Sequence, residues 1–480
     1  MAATLPTETW TQILHNVPRE NILRCTSVCQ SWHTVGTRII FRHIRLYFGN
    51  WIKCYEQGDG GVSRAQAARL QSRSTEILAY IAQNPDTEFV RAVKRISVYA
   101  YENEYVSVSD SDSESSEEGL DQCDFDCLRV ALEHLPHLQS FDWIATFVPA
   151  SQSHRDSILE SFAATAANDN NHDDNNDNDP AIDLGQLFCA QAPLRRLQLV
   201  ENISVPAQIV GGLTELILVH PMDANDIASL LPHALRLESL GLYNVQGLDV
   251  YTVLQTHAGA DILPLLSSFA LSSSLLHDMR YVQAIQDFLQ GRTARMRRLL
   301  LNIDCEWDHF SQLLPVISKM THLDALGLAN VACDIHRGLS MGKIKRLVES
   351  VPRATQALIL SIEGLDANKV LQTRLSELPH LKFLYMFGRH PLPLYQVPTI
   401  RVLHERFPRV TTMGLENHFW SWQCRGPGSE SDVVQWSNLK LDTRALDDFD
   451  CEHEEWLMRF NTFLAEESPL DAVGSFLLNQ

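Results

Sequence analysis

Apolar residues recur along most of the chain in a fixed short pattern, at positions i, i+3 and i+5. The strict form with three leucines begins at Leu194, Leu213, Leu237 and Leu323, and each copy predicts a short buried strand. From Leu194 to Trp436 the looser form returns about every 27 residues. A constant period of this length indicates a repeat architecture.

Segments with helical spacing of apolar residues lie between these strands, for example residues 281–289 and 344–348. Strands that alternate with helices at a fixed period predict a parallel sheet with outer helices. An α/β domain of another topology stays open as the alternative, because 45% apolar content gives many chance matches to the looser pattern. The segment from Asp442 to Ser468 is predicted to be an amphipathic helix that caps the last repeat.

The first 44 residues follow a different pattern and predict three short helices. Ile13, Leu14 and Val17 form one apolar stripe, Pro18 ends the first helix, and Trp32 opens the stripe of the third. A module of about 40 residues rarely builds a stable core alone. Part of its apolar surface is therefore expected to bind a partner.

The formal net charge of −20 is concentrated in two acidic stretches, within residues 102–126 and 169–183. Residues 107–119 and 165–181 are predicted to be disordered insertions, because such polar runs cannot bury enough apolar surface to offset their ordering entropy. The rest of the chain is close to neutral. This charge distribution disfavours a dedicated nucleic-acid-binding protein, which needs a basic surface.

The sequence gives no sign of secretion or of membrane insertion. The first residues lack a basic stretch followed by an apolar one, and no apolar run reaches the ~18 residues of a membrane span. Ten cysteines are scattered over 480 residues, a density typical of reduced thiols. We therefore expect a protein of the cytoplasm or nucleus, or both, without a membrane partner.

No motif in the sequence predicts catalysis, a cofactor or a metal. The segment Gly338–Lys343 is one residue shorter than a phosphate-binding loop. Cys25 and Cys29 lie four residues apart, as do Cys123 and Cys127, but no second ligand pair follows at zinc spacing. A non-enzymatic role is the expectation.

The N-terminal segment resembles the F-box. Its matching positions are Leu5-Pro6-Thr7-Glu8, Ile13-Leu14, Val17-Pro18, Ile22-Leu23, Val28-Cys29 and Trp32, in the order of the family pattern. Trp10 and Thr26 depart from that pattern, since apolar aliphatic residues are usual there. The resemblance implies a three-helix module that docks on the Skp-type adaptor of a cullin–RING ubiquitin ligase. It also implies these adaptor-binding residues: Leu5, Pro6, Ile13, Leu14, Val17, Leu23, Val28 and Trp32.

The repeat region resembles the degenerate leucine-rich repeats of many F-box proteins, including fungal ones, although the asparagine expected after each strand is mostly missing. The predicted fold class is therefore α/β, with an N-terminal three-helix F-box followed by a leucine-rich-repeat-like solenoid of parallel strands and outer helices. The predicted domains are an F-box at 1–46, a helical connector at 47–92 and the repeat domain at 93–480, which contains both acidic insertions.

The resemblance implies a substrate-recognition subunit of an SCF-type ligase, with the Skp-type adaptor and cullin as partners and a protein target held by the repeats. An F-box scaffold that acts outside a ligase is the alternative. In leucine-rich solenoids, residues that flank the apolar strand positions face the concave surface, where targets commonly bind. The predicted target-binding residues are Glu215, Glu238, Asp324, Lys382 and Tyr385.

Overall fold

The chain forms two compact units, Met1–Leu213 and Thr214–Gln480. The structure is a computed structural model that describes residues 7–15, 17, 22, 24–49, 64–101, 125–145, 194–200, 205, 207–219, 224–259, 262–274, 279–332, 339–362, 370, 373–387, 405–415, 418–423, 432–435, 453, 456 and 457. Both predicted insertions and most of the predicted C-terminal helix lie outside the described residues, as does the predicted last repeat at Trp436. The predictions for them stay untested.

The first unit contains four parallel strands in chain order, with helices before and between them. The strands are β1 (His43–Gly49), β2 (Arg95–Tyr101), β3 (Ser140–Ala145) and β4 (Arg196–Val200). The helices are α1 (Thr7–His15), α2 (Gln30–Ile40), α3 (Arg64–Gln83), α4 (Glu88–Ala92), α5 (Phe125–Glu133) and α6 (Ala207–Val210).

The sheet of this unit begins earlier than residue 93. Strand β1 pairs with β2 over its whole length, and α3 is the helix that joins them, as parallel strands require. Ser74 on α3 is buried and accepts a hydrogen bond from the backbone N–H of Tyr47 at 2.9 Å. Most of the predicted connector is thus the first strand-to-strand crossover, whereas its status as a separate domain stays a prediction.

The second unit contains ten strands, again paired in chain order. They are β5 (Glu215–Val219), β6 (Ser239–Gln246), β7 (Ser268–Ser274), β8 (Arg298–Glu306), β9 (Ala325–Ala332), β10 (Ala357–Ile362), β11 (Phe383–Phe387), β12 (Thr412–Leu415), β13 (His418–Gln423) and β14 (Asp432–Gln435). The described helices of four or more residues are α7 (Ala224–Leu230), α8 (Gly247–Thr256), α9 (Met279–Gln290), α10 (Trp307–Phe310), α11 (Leu314–Ile317) and α12 (Met341–Ser350), and short 3-10 turns cover Leu231–His233 and Arg374–Glu377.

Strands β5 to β12 are parallel, and the predicted α/β fold with a mostly parallel sheet is confirmed. The sheet departs from the parallel arrangement at its end, where β12, β13 and β14 pair antiparallel. Only two residues separate Leu415 from His418. A link this short allows a hairpin but no parallel crossover, which needs about a dozen residues.

The apolar pattern of the sequence sets the register of the second unit. The i+3 residue of the apolar pattern occupies aligned positions in eight neighbouring strands. All eight of these side chains are fully buried: Leu216, Leu240, Phe269, Leu299, Leu326, Leu358, Leu384 and Met413. This column faces the helices, since the ring of Phe269 lies 4.9 Å from that of Phe288 on α9. Each such burial contributes about 2 kcal/mol to stability.

A ladder of shared carbonyl groups precedes the strands. The carbonyl oxygen of Asp324 accepts hydrogen bonds from the backbone N–H groups of both Gln356 and Ala357, at 2.7 and 3.1 Å. In the same way, each carbonyl oxygen of the series from Thr214 to Lys382 accepts hydrogen bonds from two successive N–H groups at the start of the next strand. Residues in this ladder are therefore fixed at the entrance edge of the sheet.

Arg292 is the most unusual buried residue of the second unit, because its guanidinium is 1% exposed and bonds to backbone carbonyls. It donates hydrogen bonds to the carbonyl oxygens of Phe288 (2.8 Å), His257 (2.9 Å), Gly259 (3.0 Å) and Ile262 (2.8 Å). The guanidinium also lies 4.0 Å from the ring centre of Phe288. A single side chain thus joins the end of α9 to the loop after α8.

His257 gives the second unit a pH dependence of stability. Burial lowers the pKa of His257, and its Nε2 lies 3.1 Å from the carbonyl oxygen of Ala228. Below about pH 6.5, the ordinary pKa of histidine, the imidazole of His257 is protonated in the unfolded chain. In the folded chain the same imidazole stays neutral to a lower pH. The contribution of His257 to the free energy of unfolding is therefore complete above about pH 6.5 and decreases as the pH falls below that value.

We expect the melting temperature to fall between pH 7.5 and pH 5.5, and His257→Gln to reduce this slope. Thermal unfolding followed by circular dichroism across that range measures the effect. The exposed His322 offers the control, since His322→Gln should leave the wild-type slope unchanged. An unaltered slope in His257→Gln would contradict the assignment.

Candidate functional site

The structure separates the predicted adaptor-binding residues into core and surface positions. Leu14 is fully buried, whereas Ile13 is 38% and Val28 is 63% exposed. Val17 and Trp32 are half-buried. The remaining three, Leu5, Pro6 and Leu23, lie outside the described residues.

Helices α1 and α2 of the N-terminal module pack closely against each other. A Cβ atom at Gly36 would collide with the side chain of Thr26, so glycine permits the close approach at that point. Trp10 and Trp32 are in edge-to-face contact, with ring centres 5.2 Å apart. The aromatic residue that departs from the family pattern therefore packs against the tryptophan that matches it.

The exposed apolar residues of the module are its candidate binding surface. Ile13 and Val28 are two of the six large apolar side chains that are exposed among the described residues. Single exposed apolar residues are common on proteins, so exposure alone does not assign a function. It does identify the two matched positions that can be changed without disturbing the core.

A polar face occupies the sheet of the first unit. In each strand it alternates with buried apolar side chains, as in Arg45 between Ile44 and Leu46, and Ser97 between Ile96 and Val98. The register aligns its members in two columns, which are His43, Arg95, Ser140 and Arg196, and then Arg45, Ser97, Asp142 and Gln198. We call these eight residues the arginine face.

Asp142 lies at the centre of the arginine face and is 1% exposed. Its Oδ2 accepts hydrogen bonds from Arg95 Nε and from Ser97 Oγ, both at 2.7 Å, and its Oδ1 lies 3.5 Å from Arg196 Nε. His43 Nε2 lies 2.8 Å from Ser97 Oγ. The carboxylate thus holds two arginines in position.

The electrostatics agree with an ionised carboxylate. Burial by itself raises the pKa of Asp142, but Arg95 and Arg196 together with the hydrogen bond from Ser97 bring that pKa well below its usual range. At the end of the same face, Tyr47 and Tyr99 stack with ring centres 5.1 Å apart. Burial raises the pKa of both phenols, so both stay neutral at physiological pH.

The arginine face was not predicted from the sequence. The signal was present as polar residues at alternate positions, Arg45 and Tyr47 in one strand and Arg95, Ser97 and Tyr99 in the next. Such alternation predicts a strand with one polar side. The apolar pattern alone could not show that four strands place these side chains together.

The corresponding face of the second unit mixes apolar side chains with polar ones such as Ser268 and Arg298, and C-terminal residues of the same chain contact it. A Cβ atom at Gly327 on β9 would lie 3.2 Å from Cδ2 of Leu457, and Arg298 Nε on β8 lies 3.4 Å from His453 Nδ1 as a hydrogen-bond donor. His453, Trp456 and Leu457, which we call the C-terminal contact residues, are all buried. They lie against strands in the middle of the sheet.

The prediction that the segment from Asp442 to Ser468 is a helix that caps the last repeat stays untested, but His453 and Leu457 of this segment lie against β8 and β9. The physical reason is space, because a side chain at position 327 would also collide with Leu300, and glycine leaves a gap that Leu457 fills. An apolar sheet face binds an apolar side chain wherever such a gap exists.

The predicted target-binding residues do not form one surface. Glu238, Asp324 and Lys382 belong to the carbonyl ladder that precedes the strands, whereas Glu215 and Tyr385 lie within strands. Side chains one residue apart in an extended segment point to opposite faces, so our assumption of a common face is corrected.

Two of these residues are also largely inaccessible. Asp324 is 8% exposed and pairs with Arg297 at 2.7 Å, while Gln356 donates a hydrogen bond to it at 3.2 Å. Tyr385 is 5% exposed and stacks on Phe419. Glu238 and Lys382 are exposed and Glu215 is half-buried, so these three alone keep the predicted contact role.

None of the described helices is long and apolar enough to cross a membrane. In the part of the chain that the structure describes, no group of three or more histidine, cysteine, aspartate or glutamate side chains could hold a metal ion. Ile13 and Val28 on the exposed surface of the N-terminal module remain the candidate interaction site among the described residues.

Comparison with known proteins identifies the N-terminal module. Residues 2–47 match the F-box-like family, which confirms the predicted F-box at the N-terminus. No curated protein matches the chain. The chain is similar to the leucine-rich repeat-containing protein LegL7 of Legionella pneumophila, with a TM-score of 0.36 and 14% identity over 68% of this chain and 95% of that one. It also resembles a chain of the yeast Rad7 and Elc1 complex, with a TM-score of 0.33 and 14% identity over 83% and 97%.

Proposed function

We propose that this protein is an adaptor subunit of an SCF-type cullin–RING ubiquitin ligase that brings a protein target to the complex. The observation that carries the proposal is the F-box-like domain in residues 2–47. Its partners would be a Skp-type adaptor and, through it, a cullin. Such a ligase would act in the cytoplasm or the nucleus, and both compartments would keep the cysteines of this chain reduced.

The mechanism needs no catalytic group in this chain. One surface binds the ligase and another binds the target, so the target lysines reach a high effective concentration near the charged conjugating enzyme. The described sheet faces offer a place for the target. In the second unit the C-terminal contact residues already lie against the middle of that face, and Glu215, Glu238 and Lys382 are the predicted target-binding residues that stay exposed or half-buried.

The decisive experiment is purification of the tagged full chain from cells, followed by mass spectrometry. A Skp-type adaptor together with a cullin is the expected result. Recovery of the adaptor without any cullin would instead favour the alternative function, an F-box scaffold outside a ligase. Recovery of neither would overturn the proposal.

Val28→Asp should weaken adaptor binding by about 30-fold, since the loss of a central apolar contact costs about 2 kcal/mol. Val28 is 63% exposed, so the change does not disturb the core. Titration of the full chain with purified adaptor measures the effect.

The matched control for this change is Leu235→Asp. Leu235 is 62% exposed but lies in the second unit, and its replacement should leave the affinity unchanged. Equal affinities of the Val28→Asp and Leu235→Asp variants would contradict the assigned surface.

A further inference from the structure

A second column of aligned residues runs across the sheet of the second unit, on the side that faces away from the helices. Its members alternate along each strand with the helix-facing column. They are Ile217, Gly241, Ala270, Leu300, Gly327, Ile359, Tyr385 and Gly414. The five members that carry side chains are all buried. This side of the sheet is therefore already in contact with other residues of the chain.

The three glycines of the column differ in what occupies the space beside them. At Gly241 and Gly414, the side chains nearest to an added Cβ atom belong to the same or a neighbouring strand. At Gly327, an added Cβ atom would meet Leu300 of β8 and would lie 3.2 Å from Cδ2 of Leu457, which lies outside the sheet. Leu457 is fully buried there. Gly327 thus leaves a gap that accepts a side chain from another segment.

A polar contact accompanies this gap. Arg298 lies two residues before Leu300 on β8, so both side chains point to the same side of the sheet. Its Nε donates a hydrogen bond to Nδ1 of His453 at 3.4 Å. We call Arg298, Leu300 and Gly327 the β8–β9 groove. It combines one fixed donor with one apolar gap.

The spacing of the two contacts matches a helix that lies along the strands. His453, Trp456 and Leu457 have helical backbone. Residues four apart in an α-helix are about 6 Å apart along its axis, and residues two apart in a strand are about 6.6 Å apart. A helical segment can therefore place its first side chain at Arg298 and the side chain four residues later in the gap at Gly327.

The segment that fills the groove is tethered, because residues 436–452 join it to β14. A tethered segment binds with an effective concentration on the order of millimolar. A free segment with the same side chains must compete against that concentration. The groove is thus occupied by default, and it opens to a competitor that is concentrated or binds more tightly.

We propose that the C-terminal segment is a built-in inhibitor of the β8–β9 groove, and that a helix of the target protein displaces it. The target helix would carry a neutral hydrogen-bond acceptor and, three and four residues later, two large apolar side chains. This is the arrangement of His453, Trp456 and Leu457, and it is a helix-in-groove mode of recognition. The proposal rests on the proposed function, because it describes the target that the adaptor carries.

Peptide binding to the full chain tests the proposal. The probe is a fluorescent peptide with the sequence of residues 452–464, and a scrambled peptide is its control. The full-chain double variant Trp456→Ala/Leu457→Ala should bind the probe at least about tenfold more tightly than wild type, because its own segment no longer competes. Fluorescence anisotropy at pH 7.5, where an ordinary imidazole is neutral, measures both affinities.

Two further substitutions in the double variant locate the groove. Gly327→Ala should weaken probe binding by about tenfold, because its Cβ atom takes space that the leucine of the probe needs. Arg298→Met should weaken it several-fold through loss of the hydrogen bond. Gly259→Ala is the matched control, since a Cβ atom at Gly259 would meet nothing within 4 Å.

Hydrogen exchange of the wild-type chain tests the same displacement without any substitution. A chain labelled with heavy nitrogen gives fragments that differ in mass from those of the added peptide. Saturating peptide should speed exchange at the chain's own Trp456 and Leu457, because a displaced segment loses its protection. The scrambled peptide should leave that exchange unchanged.

The outcomes separate this proposal from the function on which it rests. Equal probe affinities of wild type and a folded double variant, or unchanged exchange at saturating peptide, would overturn the inhibitor proposal alone. Probe binding that survives both Gly327→Ala and Arg298→Met would also overturn it. Displacement by the probe in a chain that recovers no adaptor from cells would support the groove and overturn the ligase role.

Discussion

Replacing Arg292 by methionine is expected to lower the free energy of unfolding of the second unit by at least about 3 kcal/mol, since each buried carbonyl left without a donor costs 1–3 kcal/mol. Methionine keeps much of the apolar volume, so the loss reports on hydrogen bonds and not on a cavity. Four carbonyl groups lose their donor together. The loop after α8 would then separate from the end of α9.

Denaturant unfolding of the full chain measures this loss, and hydrogen exchange of the amides in α9 shows where it acts. Arg292→Lys should recover only part of the stability, because one ammonium group cannot reach four carbonyls in the way that a planar fork does. Arg346→Ala is the control, as Arg346 is exposed on α12. Wild-type stability of Arg292→Met would show that water replaces the guanidinium at no cost.

Asp142→Ala is expected to destabilise the first unit by about 3 kcal/mol, the lower end of the range for breaking a buried ion pair. The change leaves Arg95 and Arg196 close together without the carboxylate that neutralises them. Because the pKa of Asp142 is lowered in the folded chain, its stabilisation is complete above the ordinary carboxyl pKa of about 4. The stabilisation is lost as the pH falls below that value.

Unfolding of wild type and variant at pH 7 and at pH 3 tests both parts of this prediction. The difference between them should be large at pH 7 and smaller at pH 3. Asp86→Ala is the matched control, since Asp86 is 97% exposed and its pair with Arg91 spans 3.7 Å in solvent, where ion pairs contribute little. A difference between wild type and Asp142→Ala that does not change with pH would contradict the role of the charge.

The sequence was sufficient to predict features that depend on residues close together in the chain. The leucine pattern predicted the strands because position i+3 of each copy must be buried for the sheet to pack on its helices, whereas the register could not be predicted. The F-box was recognisable because its matching positions all lie within about 30 residues. Both predictions depend on residues that lie close together in the chain. The leucine pattern recurs many times, and the F-box pattern agrees at several positions together.

Features that depend on distant residues could not be predicted in the same way. The arginine face joins residues from 43 to 198, and no local pattern specifies that Asp142 lies between Arg95 and Arg196. The contact of Leu457 with β9 depends on the absence of a side chain at Gly327. The predicted target-binding residues do not share one side of the strands, because the residue before each strand belongs to the carbonyl ladder and a shift of one residue reverses the direction of a side chain. Their role in target binding stays a prediction.

The C-terminal contact residues also determine when β8 and β9 can be covered during protein synthesis. His453 reaches back to Arg298 across 155 residues, so β8 and β9 emerge from the ribosome long before their cover is made. During that interval the apolar side chain of Leu300 is open to solvent and to chaperones that bind exposed apolar strands. We therefore expect chains that stop before residue 453 to leave this part of the sheet uncovered.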